Sequence, residues 1–122
     1  MRFVRALVGV VTLGLPIACF GDEAVDRESF LTSVTLEAEA AVCAERVPAL
    51  AEEIRPALDA WLADNAESIK RGAALVRADE HGGVSFEDYL AHLRSLAVRL
   101  YELASADEAA EMCEERFFPA GH

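Results

Sequence analysis

Two cysteines, Cys43 and Cys113, constrain the fold of this chain more than any other residues. Cys43 shares one face of a predicted helix with Leu36, Ala40 and Val47, and Cys113 lies on the apolar side of the last predicted helix, opposite its acids. A disulfide between them would join the first helix to the last and close a loop of roughly 70 residues, which can stabilise a fold by up to about 4 kcal/mol. A redox-active pair normally lies close in sequence, with one thiolate at a helix N-terminus, so this spacing favours a structural bond.

The N-terminal segment is typical of a secretory signal peptide. Arg2 and Arg5 give it a positive start, and residues 6–20 form an uncharged apolar run that is too short to span a bilayer comfortably. The small residues Cys19 and Gly21 fit cleavage by signal peptidase before Asp22. We therefore expect residues 1–21 to be a signal peptide, residues 22–122 to form a single domain, and the protein to be periplasmic or secreted, where thiols are oxidised.

Cys19 leaves a second export route open. A lipoprotein signal has a small residue before the acylated cysteine, as Ala18 stands before Cys19, although it normally has leucine where Pro16 stands. Acylation of Cys19 would anchor the protein to a membrane and leave its fold unchanged. Without acylation, we expect no membrane insertion of the mature domain.

The chain is strongly acidic, with 22 acidic residues against 11 basic ones and a net charge of −11. Cleavage before Asp22 would remove two arginines and no acid, leaving 9 basic residues and a net charge of −13. Such a charge repels phosphates and anionic lipid head groups, so we expect no nucleic-acid partner and favour a basic envelope or secreted protein. The solubility of an exported protein would explain the same charge.

Apolar residues recur at helical spacing through the mature chain, and no alternating β-branched or aromatic run indicates a strand. We expect an all-α fold, a four-helix bundle of the up-down type that the disulfide staples. The predicted helices cover about residues 22–46, 56–78, 86–104 and 106–117, with Ser85 and Ser105 as N-caps.

Two features indicate how these helices pack. Residues 22–46 carry apolar side chains on two opposite faces, which favours a central helix, or else a bend at residues 32–35 where the buried face changes. Gly72 lies in an apolar stripe, where the absence of a side chain would allow a neighbouring helix to approach closely.

Residues 79–89 resemble the later part of an EF-hand calcium loop followed by its exiting helix. Gly82, Val84 and Asp88 match the turn glycine, the central apolar residue and the final acid, although the last ligand of an EF-hand is normally a glutamate. The first and fifth ligand positions hold Arg77 and His81, which do not fit. We favour a capped turn between helices and no metal, with Asp79 and Asp88 as ligands in the alternative interpretation.

Asn65 is a polar residue between Leu62 and Ile69 in an otherwise apolar stripe. Such a residue is usually a satisfied core side chain. The alternative is that Asn65, Trp61 and Tyr101 line a small pocket.

No catalytic or cofactor site is evident from the sequence. The three histidines share no ligand spacing, and the acids follow solvated helix faces without a nucleophile or base beside them. We therefore expect a non-enzyme without a cofactor, an exported binding module of the inhibitor or immunity type that meets a basic protein. A periplasmic protein that binds a small molecule or metal, through the bundle interior or residues 79–88, and a structural envelope protein are the alternatives.

Overall fold

The structure, a computed structural model, describes the backbone of residues 15–119 and the side chains of residues 22–119. Within that range the chain forms five α-helices and no strand, which confirms the all-helical class. The elements are α1 (Leu15–Arg46), a 3-10 turn (Pro48–Leu50), α2 (Ala51–Asp64), α3 (Ala66–Ala78), α4 (Phe86–Leu103) and α5 (Ala106–Phe117). Residues 1–14 of the predicted signal peptide and the side chain of Cys19 lie outside the described part, and the predicted cleavage site before Asp22 falls within α1.

Helix α1 is the central element of the fold. Its 32 residues contact all four of the other helices. Leu36, Ala40 and Cys43 are buried on one face, and Val34 and Val42 are buried on roughly the opposite one. The two apolar faces of this segment therefore reflect neighbours on both sides, as the central-helix interpretation predicts.

The prediction of a single second helix over residues 56–78 is wrong. Helix α2 begins at Ala51, ahead of Pro56, whose missing N–H leaves the carbonyl of exposed Glu52 without its helical donor. The helix then ends at Asn65, where the backbone turns to φ −112° and ψ 12° and the side-chain amide donates to the carbonyl of Trp61 at 2.8 Å. An asparagine side chain that binds backbone groups competes with the helix. The described chain consequently has five helices where four were predicted.

Helix α3 approaches α1 very closely at Gly72. A Cβ atom built on Gly72 would lie 1.9 Å from the carbonyl oxygen of Asp26 and 2.9 Å from Cβ of Phe30. Both distances are far inside van der Waals contact, so a residue with a side chain does not fit without moving the helices apart. The predicted close approach at this glycine is confirmed.

Cys43 and Cys113 form the predicted disulfide, with 5.8 Å between their Cα atoms and both residues fully buried. The bond joins α1 to α5 within a core that includes Ile54 and Leu58 of α2 and Tyr101 of α4. Because disulfides persist in oxidising compartments, it indicates an extracytoplasmic environment. Within residues 15–119, no helix is both long and apolar enough to cross a membrane.

Helix α4 is capped at both ends. At its N-terminus, the hydroxyl of Ser85 accepts a hydrogen bond from the backbone N–H of Asp88 at 3.0 Å, as predicted. At its C-terminus, the guanidinium of Arg46 donates to the carbonyls of Tyr101 and Ala104, the latter at 2.9 Å. These bonds satisfy terminal backbone groups that would otherwise lack partners, and they fix α4 against the end of α1.

Candidate binding surface

A buried carboxylate, that of Glu39 on α1, holds α4 and α5 against the central helix. Its Oε1 accepts hydrogen bonds from the Tyr101 hydroxyl at 2.6 Å and from Arg116 Nε at 2.9 Å, and its Oε2 accepts from Arg116 Nη2 at 3.2 Å. Burial, together with the hydrogen bond to Glu39, raises the pKa of the Tyr101 hydroxyl. The cluster therefore fixes the relative positions of three helices.

A second carboxylate, that of Asp26, fixes α3 against α1. Arg71 donates two hydrogen bonds to this carboxylate, from Nε to Oδ2 at 2.9 Å and from Nη2 to Oδ1 at 3.3 Å. The Ser68 hydroxyl donates a third, to Oδ1 at 2.6 Å. The hydrogen bond from Arg71, followed by that from Ser68, holds the pKa of Asp26 below its usual range. The ion pair lies beside the close helix contact at Gly72, whose missing side chain brings the two helices within reach.

The prediction that the acids follow solvated faces is wrong for Asp26 and Glu39. Both residues are buried, and they are exposed by only 6 % each. The sequence did indicate that Glu39 could be buried, because Glu39 lies three residues from Leu36 and four from Cys43 and so falls near the side of the helix that carries the disulfide. Asp26 has no comparable pair of apolar residues on either side of it at helical spacing.

The loop between α3 and α4 is held by contacts of its own side chains. The carboxylate of Asp79 accepts two hydrogen bonds from Arg27, at 3.0 and 3.1 Å, and these hold its pKa below the usual range. Asp88 lies in the first turn of α4, and the ring of His81 stacks on Tyr89 with 4.0 Å between centroids. Among the described residues, no three potential metal ligands come together. A metal at Asp79 would have to displace Arg27.

A groove of about 500 Å³ opens beside Trp61 and is called the Trp61 groove below. Its lining comprises Thr32, Leu36, Ala57, Trp61, Asp64, Arg116, Phe117 and Pro119. Of the three residues considered for a pocket, Trp61 alone lines this groove. Asn65 bonds to the backbone carbonyl of Trp61, and Tyr101 is buried against Glu39, so the structure does not bring the three side chains together around one cavity.

Three leucines of α4 project into solvent and are called the leucine face below. Leu96 is 50 % exposed, Leu100 64 % and Leu103 76 %, and their spacings of four and three residues place them on one side of the helix. Leu90 and Tyr101 of the same helix are buried, so only part of its apolar surface belongs to the core. The sequence does carry a signal for this, because the apolar residues of α4 spread around more of the helix than one neighbouring helix covers.

A shallow groove between α1 and α4 continues from the leucine face and is called the α1–α4 groove below. It has a volume of about 530 Å³ and is lined by Ala24, Arg27, Glu28, Leu31, Thr32, Thr35 and Leu93. Leu93 lies three residues before Leu96 and so extends the leucine face along α4. Thr32 lines both this groove and the Trp61 groove.

Helix α5 presents a row of acids to solvent. They are Asp107, Glu108, Glu111, Glu114 and Glu115. None of them forms an ion pair with another residue of the described range. Helix α5 therefore carries a solvent-exposed acidic face.

No protein-family model, curated protein or solved structure matches this chain. The geometry and charge of its surface therefore carry the functional interpretation.

Proposed function

We propose that this protein is an exported, non-catalytic binding module of the inhibitor or immunity type, and that its partner is a basic protein. The observation that carries the proposal is the leucine face, where Leu96, Leu100 and Leu103 are all at least half exposed on one side of a helix. Clustered exposed apolar side chains mark interaction sites, whereas single exposed leucines are ordinary.

The scaffold beneath this face supports a binding role. Helix α4 is capped at both ends, and the Glu39 cluster and the disulfide fasten its neighbours. A face that is already ordered loses little conformational entropy on association, so more of the apolar burial contributes to affinity.

Charge supports a basic partner. Acids outnumber basic residues two to one, at 22 against 11, and α5 carries a row of exposed acids. Complementary charge accelerates association and is screened by salt within about 10 Å at 0.1 M. Binding that combines the leucine face with these acids should therefore weaken as salt rises without vanishing.

Export completes the proposal. If residues 1–21 are removed, the mature protein begins at Asp22 and is released as a soluble chain into an oxidising compartment. If Cys19 is acylated, the mature protein begins at Cys19 and is anchored to a membrane by its lipid. The intact mass of the protein purified from the host envelope separates the two, because acylation adds lipid mass and retains residues 19–21. A protein that keeps Met1 would refute export by cleavage.

The proposed function is tested by capture from an envelope extract with the protein expressed with its own N-terminal segment. The matched variant is Leu100→Glu, which removes apolar area and adds one acid. A basic protein should be recovered with the wild type, less at about 500 mM salt than at about 50 mM, and should be depleted with the variant. If capture ignores salt, or yields no protein that binds again when purified, the proposal fails.

The Trp61 groove favours a second candidate, a small ligand with an apolar ring and a polar end. Trp61 and Phe117 offer aromatic surface, and Asp64 and Arg116 lie at the same groove. Trp61 is the chain's single tryptophan, so its fluorescence reports binding directly. A ligand that shifts this emission and protects the fold against heating would support the candidate. The absence of any shift across envelope metabolites would rule it out.

A further inference from the structure

The Trp61 groove has the size and the walls of a small-molecule site. Its volume is about 500 Å³, within the roughly 300–1,000 Å³ that small-molecule pockets occupy. Trp61 and Phe117 give it aromatic surface, and Leu36 adds an aliphatic wall. Leu36 and Phe117 are buried members of the hydrophobic core, so these walls are already fixed in the absence of a ligand.

Two residues that line the groove carry a charge, Asp64 and Arg116, and the charge of Arg116 is already balanced. Arg116 donates Nε to Oε1 of Glu39 at 2.9 Å and Nη2 to Oε2 at 3.2 Å. The Glu39 side chain is buried, so salt screens this two-bond pair much less than it would screen an exposed one. An anionic ligand at Arg116 would therefore also meet the repulsion of the Glu39 carboxylate.

Asp64 supplies the charge that is not balanced. Within residues 22–119, no basic side chain forms an ion pair with it. Asp64 follows Trp61 by three residues in the last turn of α2, so the two side chains are neighbours on one side of that helix. A carboxylate and an indole ring both attract a cation, the carboxylate through its charge and the ring through its negative face.

We infer that the Trp61 groove binds a small organic cation, a protonated amine on an apolar ring, with the ammonium group at Asp64 and the ring against Trp61 and Phe117. The inference rests on the second candidate function, since it specifies the polar end of that ligand as a positive charge. Glu39 acts through Arg116, because it cancels the charge that would otherwise repel the ammonium group. The net charge of −11 on the whole chain adds attraction at longer range.

The inference is tested with three probes that share a phenyl ring and differ in charge: phenethylamine, 2-phenylethanol and 3-phenylpropanoate. Each is titrated into the purified protein at neutral pH while the emission of Trp61, the single tryptophan, is followed. The amine should bind about fivefold or more tightly than the alcohol, because it alone gains ion-pair and cation–π attraction. The carboxylate should bind most weakly, and raised salt should weaken the amine and leave the alcohol unchanged.

Two matched acids of α2 separate the groove from the charge of the whole chain. Asp64→Asn should weaken the binding of phenethylamine about threefold or more and leave that of 2-phenylethanol unchanged. Glu52→Gln removes the same charge from an exposed residue in the first turn of the same helix, outside the lining of the groove, and should leave all three probes unchanged. Circular dichroism checks that both variants are folded.

Three outcomes overturn the inference. Equal affinities for the amine and the alcohol, or equal effects of Asp64→Asn and Glu52→Gln, would show that the groove does not select a cation, while the shift in emission would still support a ligand site. Tighter binding of 3-phenylpropanoate than of phenethylamine would make Arg116 the selecting charge. No shift with any probe would overturn the second candidate as well, whereas capture of a basic protein is tested separately by Leu100→Glu and would be unaffected.

Discussion

Replacement of Gly72 by alanine tests how closely α3 packs on α1. The new Cβ would lie 1.9 Å from the Asp26 carbonyl oxygen, where an ordinary contact needs 3.4 Å or more. A backbone oxygen cannot rotate away, so the helices themselves must separate. That movement would also strain the bonds from Arg71 and Ser68 to the Asp26 carboxylate.

The expected cost follows from two opposing effects. Overpacking a tight interface costs about 1–3 kcal/mol, and the backbone contact here places Gly72→Ala near the upper end. Alanine recovers about 1 kcal/mol through its higher helix propensity. The net prediction is a loss of about 2 kcal/mol in the free energy of unfolding, which corresponds to a fall of about 10 °C in melting temperature for a domain of this size.

Urea unfolding followed by circular dichroism measures this loss. The control is Ala74→Gly on the exposed side of the same helix, which should cost about 1 kcal/mol through propensity alone. If Gly72→Ala proves as stable as the wild type, or more stable by the propensity gain, the close approach of α1 and α3 is refuted.

Three further perturbations probe the scaffold. Replacing Cys43 and Cys113 by alanine should lower the free energy of unfolding by about 4 kcal/mol, because the disulfide closes a loop of 70 residues. A loss below about 1 kcal/mol, measured by urea titration, would contradict this prediction. The fold lowers the pKa of Asp26, so the stabilisation that this carboxylate contributes is present above its ordinary pKa of 3.8 and is lost as pH falls through the lower folded pKa. The melting temperature should therefore drop on acidification, and it should drop less steeply in Arg71→Gln. Equal slopes in the two proteins would argue against the Arg71–Asp26 pair. Tyr101→Phe should cost about 1 kcal/mol by removing a buried hydrogen bond, measured by the same titration, and no change would show that the bond contributes nothing.

The features that the sequence predicted correctly depend on local rules. The serine caps before α4 and α5 follow from a hydroxyl three residues ahead of a backbone N–H, and both bonds are present. The close approach of two helices at Gly72 could be predicted from the position of this glycine in an apolar stripe, and it is present. The disulfide followed from the two cysteines of the predicted mature chain and the apolar sides on which they lie.

The features that were missed depend on which neighbour covers which side of a helix. Helix α2 ends before Asn65, whose backbone N–H and side-chain amide both donate to the carbonyl of Trp61, although the apolar spacing around it continues. The acids Asp26 and Glu39 are buried because arginines 45 and 77 residues away reach them. The leucine face is apolar in sequence like any core stripe, and only the arrangement of the other helices leaves it uncovered.

The affinity of Leu100→Glu for the isolated basic partner tests the central claim most directly. Leu100 is 64 % exposed, so the substitution should change the free energy of unfolding by no more than about 0.5 kcal/mol. It also adds an acid, and a purely electrostatic complex would bind the variant equally or more tightly. If the leucine face is the binding site, titration calorimetry should show a dissociation constant at least about tenfold higher than that of the wild type. An unchanged or lower dissociation constant would contradict the account.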